Sequence, residues 1–336
     1  MNHYFSPAVA ILLTLFAAVL WGSWMQVVKH LRKFPIEGLV FYLYIFSFLL
    51  VWVITLILAP LLIPEGLSHF IAGKERVVIE ILLGGSMMSI GMMFSLTVMR
   101  DIGLLLATAL SGSIASILGI LTSIMKEGLP SDPYAVPVIV TTSVIFLAAS
   151  LLCNYASQLR ERDLYSAQRK DDESQNKTSY RVTFRTIIFI LISSVLVNGW
   201  SIGVATGTAN SFPPVLTCAL MVTGSLASIL IYSSIRFTIK KMWPTILCVG
   251  TTKKPILFGL ITGVCHYGGN LISIYAMPVI SATLSFLFGR TASVWTFVWG
   301  ISYGEFKGVS KKTAMILSLG IALYFAGIVL LGIYSI

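Results

Sequence analysis

Charge is scarce in this chain. Only 11% of its 336 residues are Asp, Glu, Lys or Arg, less than half of the roughly 25% usual in soluble domains. Hydrophobic residues make up 57%, and the mean hydropathy is +0.90. That balance excludes a sizeable soluble domain. Apolar runs of about 20 residues, the length that crosses a bilayer, recur along the sequence, and unbroken runs of that length exclude a β-barrel. No glycine-rich loop ending in Gly-Lys-Ser/Thr is present, which argues against ATP drive. The four cysteines (Cys153, Cys218, Cys248, Cys265) are scattered without metal-ligand spacing and read as free buried thiols. Spaced metal ligands, a Ser-His-Asp set and paired acids are all missing, so the expectation is a protein that is not an enzyme and that needs no metal or cofactor. The first apolar run lacks a basic leader and a small-residue cleavage site, and reads as a retained span.

What is present is an all-α polytopic membrane protein. Breaks at charge, proline and glycine divide the apolar runs into ten predicted spans: 7–29, 38–62, 77–98, 102–125, 134–157, 184–205, 213–235, 255–277, 281–303 and 314–336. Nineteen of the 23 Lys and Arg fall in alternate loops, and only Lys74, Arg76 and Lys126 in the opposite set. By the positive-inside rule the basic loops are cytoplasmic and both termini lie outside. The net charge of +10 therefore reports topology in a bilayer, not nucleic acid. The stretch RERDLYSAQRKDDESQNKTSYR is polar and nearly free of large aliphatics, and reads as a disordered cytoplasmic linker. The expected division is a first five-helix unit over 1–157, a linker over 158–183 and a second five-helix unit over 184–336.

The two units resemble each other. At a shift of 177–179 positions, LSGSIAS (Leu110–Ser116) falls on LFGRTAS (Leu287–Ser293), Gly91 on Gly268, and Phe34-Pro35 on Phe212-Pro213. FLAASLLCNY (Phe146–Tyr155) likewise falls on FAGIVLLGIY (Phe325–Tyr334). VLWGSW, which opens the polar part of the first span, is echoed by VLVNGW in the sixth. Five is odd, so the second copy would lie upside down relative to the first, an arrangement of many secondary transporters. Ten spans in two inverted fives, with spans four and nine ending near Glu127 and Glu305, resemble the drug/metabolite transporter superfamily. Within it, SIGMMFSLTVMRDIGLLLATALSG and QLRERD are similar to the rhamnose–proton symporter group and related sugar permeases, and WGSW resembles the ureide permease branch. The resemblance implies transport of a solute such as a sugar. Many members have cytoplasmic termini, whereas the loop charges here place them outside.

Several residues sit where lipid-facing helices would not have them. Arg290 lies about ten residues into span nine, where an arginine costs at least about 2.5–3.5 kcal/mol to insert. It reads either as an ion pair with Glu80 or Asp101, or, as we favour, as a fork for solute hydroxyls, carbonyls or a carboxylate. In span eight, His266, Gly269, Asn270, Ser273 and Met277 form a stripe at helical spacing. A lone buried histidine is often a satisfied hydrogen-bonder, but here it shares its face with an amide and a hydroxyl. It is also the one deep group that titrates near neutrality, and so the candidate for proton coupling. In span one, Gly22, Met25, Gln26 and Lys29 share a face with Trp21 beside them, while Trp24 reads as lying toward the other side. Trp21 is too deep for interfacial anchoring. Asn198, Ser201 and Trp200 hold the corresponding place in span six. Lys29 reads as snorkelling, Glu127 and Glu305 as helix-end markers, and Arg100-Asp101 as a surface pair. The small faces Thr108, Gly112, Ala115, Ser116, Gly119 and Gly289, Ala292, Ser293, Thr296, Gly300 read as tight helix packing.

Together these features lead to an expectation of a secondary transporter in the cytoplasmic membrane, moving a small neutral polar solute, with a proton or other ion gradient as its drive. The chain would act as a monomer or homodimer. Alternatives are a purine, ureide or nucleoside permease, or an exporter of drugs or metabolites.

Overall fold

The computed structural model describes residues 5–31, 34–102, 133–168, 184–280 and 282–335. All regular structure among them is helical: α1 Pro7–Ser23, a 3-10 segment Trp24–His30, α2 Ile36–Leu62, α3 Leu67–Ile71, α4 Glu75–Ile102 and α5 Ala135–Gln168, then α6 Phe184–Val197, α7 Gly199–Ala209, α8 Pro214–Ile239, α9 Trp243–Ile246, α10 Lys254–Ile280, α11 Ala282–Gly289, α12 Ala292–Ser302 and α13 Lys311–Ser335. Eight helices among the described residues are long and apolar enough to cross a membrane. The chain is a polytopic helical membrane protein. The predicted fourth span, with its small-residue face and Glu127, falls almost wholly outside the described residues, as do the side chains of Arg100 and Asp101.

Local sequence explains where helices begin. Ser6 caps α1 by accepting a hydrogen bond from the Val9 amide (3.4 Å), with Pro7 at the first helical position. Phe34-Pro35 opens α2 and Phe212-Pro213 opens α8, each proline extended at its ψ (132° and 138°). Proline lacks the amide that a preceding turn would bond, so it marks the start of both helices in the same way.

The predicted ninth span is not a single helix: it breaks at Arg290-Thr291, between α11 and α12. The sixth runs on through Asn198, where only a local turn separates α6 from α7 and the i to i−4 backbone bonds continue (Asn198 N–H to the Ser194 carbonyl, 3.3 Å; Ile202 N–H to the Asn198 carbonyl, 3.2 Å). The first tightens into 3-10 form at Trp24. Hydropathy averages over such breaks because Asn, Gly and Thr in an apolar run barely lower the mean. Helical irregularity at membrane depth leaves backbone groups to be satisfied by neighbours, and persists where protein or a wet cavity surrounds it.

The centre of the bundle is built on close helix crossings. Gly85 of α4 sits against the backbone of Met221 on α8, and Gly224 of α8 against the backbone of Leu82 on α4. Ser225 Oγ donates to the Gly85 carbonyl (2.8 Å), and Ser86 Oγ donates to the Gly224 carbonyl (2.9 Å). Without water to drive apolar association, small residues and hydroxyl-to-backbone bonds hold such helices together. The crossing of α2 on α10 uses the same device: Ser47 Oγ donates to the carbonyl of Gly263 (3.2 Å). Ser47 and Ser225, like Gly85 and Gly263, are 178 positions apart, inside the shift that aligns the two halves. Other contacts also come in pairs: α1 packs on α10 as α6 and α7 pack on α4, while α2 meets α8 and α5 meets α13.

At the end of the bundle that carries the basic loops, Glu305 sits between two cations. It pairs with Lys29 at the end of the 3-10 segment and with Arg160 of α5 (2.7 Å). Asp163, one turn further along α5, accepts from the Ser310 amide (2.8 Å) and the Thr313 hydroxyl (2.6 Å) at the start of α13. These bonds continue α5 through Gln168, so residues 158–168, expected as linker, are helical instead. Lys29 does not simply snorkel, and Glu305 is more than a helix-end marker. The Glu305 and Lys29 side chains remain about a third exposed, so the network is worth less than a sealed one. Glu305→Gln should lower stability by about 1–2 kcal/mol by leaving Lys29 and Arg160 facing each other without their anion. Thermal unfolding in detergent at low and high salt measures this, with the deficit shrinking as salt screens the two cations.

Candidate functional site

The WGSW stretch packs one residue at a time. Gly22 lies against the Ala292 carbonyl and the Trp295 Cβ, so that α1 touches the start of α12. Thr296 Oγ1 donates to the Gly22 carbonyl (3.3 Å), and Trp299 Nε1 donates to Ser23 Oγ (2.8 Å). The small-residue face of span nine is thus where the broken helix meets α1.

Trp21 turns the other way, onto α10. Its indole Nε1–H donates to Asn270 Oδ1 (2.9 Å) and also approaches the His266 carbonyl (3.2 Å). Gly269 gives its ring room, and the far edge of the ring lies over Gly289 at the end of α11. One tryptophan therefore bridges the polar stripe of α10 and the break that carries Arg290.

Trp24 corrects the sequence reading. It does not lie away from the site but against His266, with ring centroids 5.4 Å apart. Residues three apart on a helix share a side, so Trp21 and Trp24 form the face that meets α10, while Gly22 faces α12. Tyr44 of α2 stands edge-on to the same imidazole at 6.2 Å. The neighbouring Tyr267 is held by Ser225 (2.9 Å). Ser225 already donates to Gly85, so the tyrosine is the donor of that bond. Trp24 and Tyr44 are the site residues that sequence reasoning missed. The i, i+3 relation of Trp24 to Trp21 could have found the first, but no local signal points to Tyr44.

Polar atoms of α10 stand here without partners among the described residues. Both ring nitrogens of His266 and, one turn on, Asn270 Nδ2 are shielded from solvent and make no hydrogen bond; Gln26 Oε1 on the 3-10 segment is likewise buried without a partner. Asn270 is 4% exposed and Gln26 6%. An unpaired buried polar group costs about 1–3 kcal/mol, so the three atoms on His266 and Asn270, one helical turn apart, form a concentrated deficit.

The other predicted residues are placed differently. Ser273 is buried and shares a hydrogen bond with Ser285 of α11 (3.2 Å), tying the stripe to the broken helix. Arg290 stands in the break itself, beside Tyr324 of α13. Glu80, one of the two ion-pair candidates, is engaged by Arg76 on its own helix (3.1 Å). Gly199, between Asn198 and Trp200, packs on Gly84 and Met87 of α4, and Trp200 joins the central apolar cluster that also holds Trp24, Tyr44 and Tyr267. Trp21 bonds directly to the His266 carbonyl and the Asn270 side chain.

No protein-family model matches the chain, and no curated protein is similar to it. Among solved structures, one titled "Crystal structure of protein" is similar over 97% of both chains, with a TM-score of 0.65 at 14% identity. That likeness concerns the fold over nearly the whole length and carries nothing about activity.

Proposed function

We propose that the chain is a secondary transporter of a small polar solute, a sugar in the first place, working by alternating access in the cytoplasmic membrane. The observation that carries this reading is the set of unpaired buried polar atoms on His266 and Asn270, beside helices that lose regular form at Trp24 and Arg290. Polar groups this costly are retained at membrane depth when water or a solute completes them. Broken helices beside such groups are how many secondary carriers form their solute sites.

The ten-span inverted arrangement is part of the proposal, with the fourth span taken from the sequence. It is supported by the serine–glycine bonds repeated 178 positions apart and by the paired helix contacts. The resemblance to the rhamnose–proton symporter group supports a sugar. A purine or ureide is the second reading, favoured by the two aromatic rings beside His266. The polar stripe speaks against an exporter of lipophilic drugs.

Uptake into proteoliposomes under an imposed proton gradient, with thermal-shift screening of sugars and nucleobases, tests the proposal. A bound solute raises apparent stability by mass action. A protein that none of them stabilises, and that takes up none of them, would overturn it. Proton coupling is assigned to His266, whose two free nitrogens can exchange a proton with the solute or with water. His266→Gln should then retain exchange of solute across the membrane but lose accumulation driven by the pH gradient.

A further inference from the structure

The proposed solute site has a fixed hydrogen-bond polarity, set by Trp21. An indole N–H can only donate. The Asn270 amide beside it could in principle sit either way round, but turning its NH2 toward the indole would set donor against donor. The bond from Trp21 Nε1 to Oδ1 (2.9 Å) therefore fixes the oxygen toward α1 and aims Nδ2 away from it, where no described group receives it. Asn270 is 96% buried, so this donor is neither a surface group nor free to turn. The adjoining His266, when neutral, offers one donor and one acceptor.

The charged groups do not reverse that polarity: Arg290, in the break next to Gly289 under the Trp21 ring, can only donate. The described carboxylates lie near helix ends, with Glu305 held by Lys29 and Arg160, Glu37 by Arg236 and Glu80 by Arg76. The faces of Trp24 and Tyr44 would attract a cation, but the Asn270 donors would confront it unpaired.

Building on the transporter reading, we infer that Trp21 is a positioning residue which makes Asn270 a donor, and that the site takes uncharged solutes presenting a hydroxyl or carbonyl acceptor and rejects organic cations. A solute hydroxyl or ring carbonyl accepts from Asn270 Nδ2, while His266 supplies the complementary donor or acceptor. Turning the amide around would exchange this preference.

Full-length protein in nanodiscs, titrated with a deoxyhexose, uracil and tetraphenylphosphonium, tests the inference. At least one uncharged probe should bind saturably and the cation should not. Trp21→Phe keeps a ring over Gly289 but removes the orienting bond, and should weaken the uncharged probe about tenfold, the worth of one well-placed hydrogen bond. In an Asn270→Ala background the same change should matter less than about twofold, because no amide remains to orient. Effects that simply multiply would make Trp21 a packing residue only. Asn270→Asp, with Trp21 intact, should lose the uncharged probe and gain the cation, which keeps the inference testable if Trp21→Phe folds poorly. Saturable binding of tetraphenylphosphonium to the unmodified protein in preference to the uncharged probes would overturn the inference and leave the transporter reading standing. Binding of no probe, together with no uptake, would remove both.

Discussion

Leucine at position 224 should leave little folded protein. The α4–α8 crossing holds Gly224 against the Leu82 backbone, and a Cβ there would collide with a main-chain carbonyl that no rotamer change can move. Overpacking of a close crossing costs about 1–3 kcal/mol even where side chains can yield. Here α4 and α8 must separate. Separation also breaks the Ser225–Gly85 and Ser86–Gly224 bonds, at about 1 kcal/mol each. The expected loss, about 4 kcal/mol or more, approaches the whole stability of many domains. Size-exclusion profile and thermal unfolding in detergent report it. Gly268→Ala is the control: its nearest neighbour is a single methyl of Leu20 at 4.0 Å, so stability should hardly change. Leucine at Gly263, in the matching crossing of α2 on α10, should repeat the Gly224 defect in milder form, since the Ser47 bond there is longer.

The scaffold was legible in the sequence because it obeys simple periodicities. Span length follows bilayer thickness, and the apolar runs that frame α2, α8, α10 and α13 have no competing reading. The internal shift was visible in Phe34-Pro35 and Phe212-Pro213, and the structure shows both dipeptides opening helices. The breaks were not legible. Arg290 sits in a run whose average hydropathy conceals a local loss of helix, and Trp24 in one that tightens to 3-10 form; whether a turn breaks there depends on what surrounds it. The Arg160 and Asp163 contacts were hidden for the opposite reason. A charged segment read alone looks like linker, and only its partners Glu305, Ser310 and Thr313, almost 150 positions away, make it helix.

The candidate site was legible where it used one helix and obscure where it used several. His266 and Asn270 stand four residues apart and were found by spacing alone. Trp21 was found by its depth. Tyr44 comes from another helix, and its edge-on approach to His266 is a tertiary fact. The internal shift adds a second signal. At 178 positions before His266 and Asn270 stand Met88 and Met92, both in or against the central apolar cluster. Serine and glycine recur at this shift as a packing device, whereas His266 and Asn270 bring polar atoms that packing does not need.

Arg290→Ala should abolish solute uptake at low solute concentration while leaving a folded protein. Arg290 stands in the break between α11 and α12, next to Gly289, which lies under the ring of Trp21. Removing a buried charge relieves an insertion cost and need not unfold the bundle. Tyr324, beside it on α13, loses a polar neighbour but keeps its packing against Phe146 (5.7 Å). If the fork contacts solute, its loss removes charge-assisted hydrogen bonds worth about 1.5–3 kcal/mol, a fall of roughly 10- to 150-fold in affinity. Lysine at the same position should restore part of the charge but not the planar fork, and recover little. A structural role gives the opposite pattern: Arg290→Ala would then lower the unfolding temperature, as Tyr324→Phe would, and uptake per folded molecule would stay close to that of the unmodified protein. Uptake normalised to monodisperse protein, measured beside unfolding temperature for all three variants, separates the two roles.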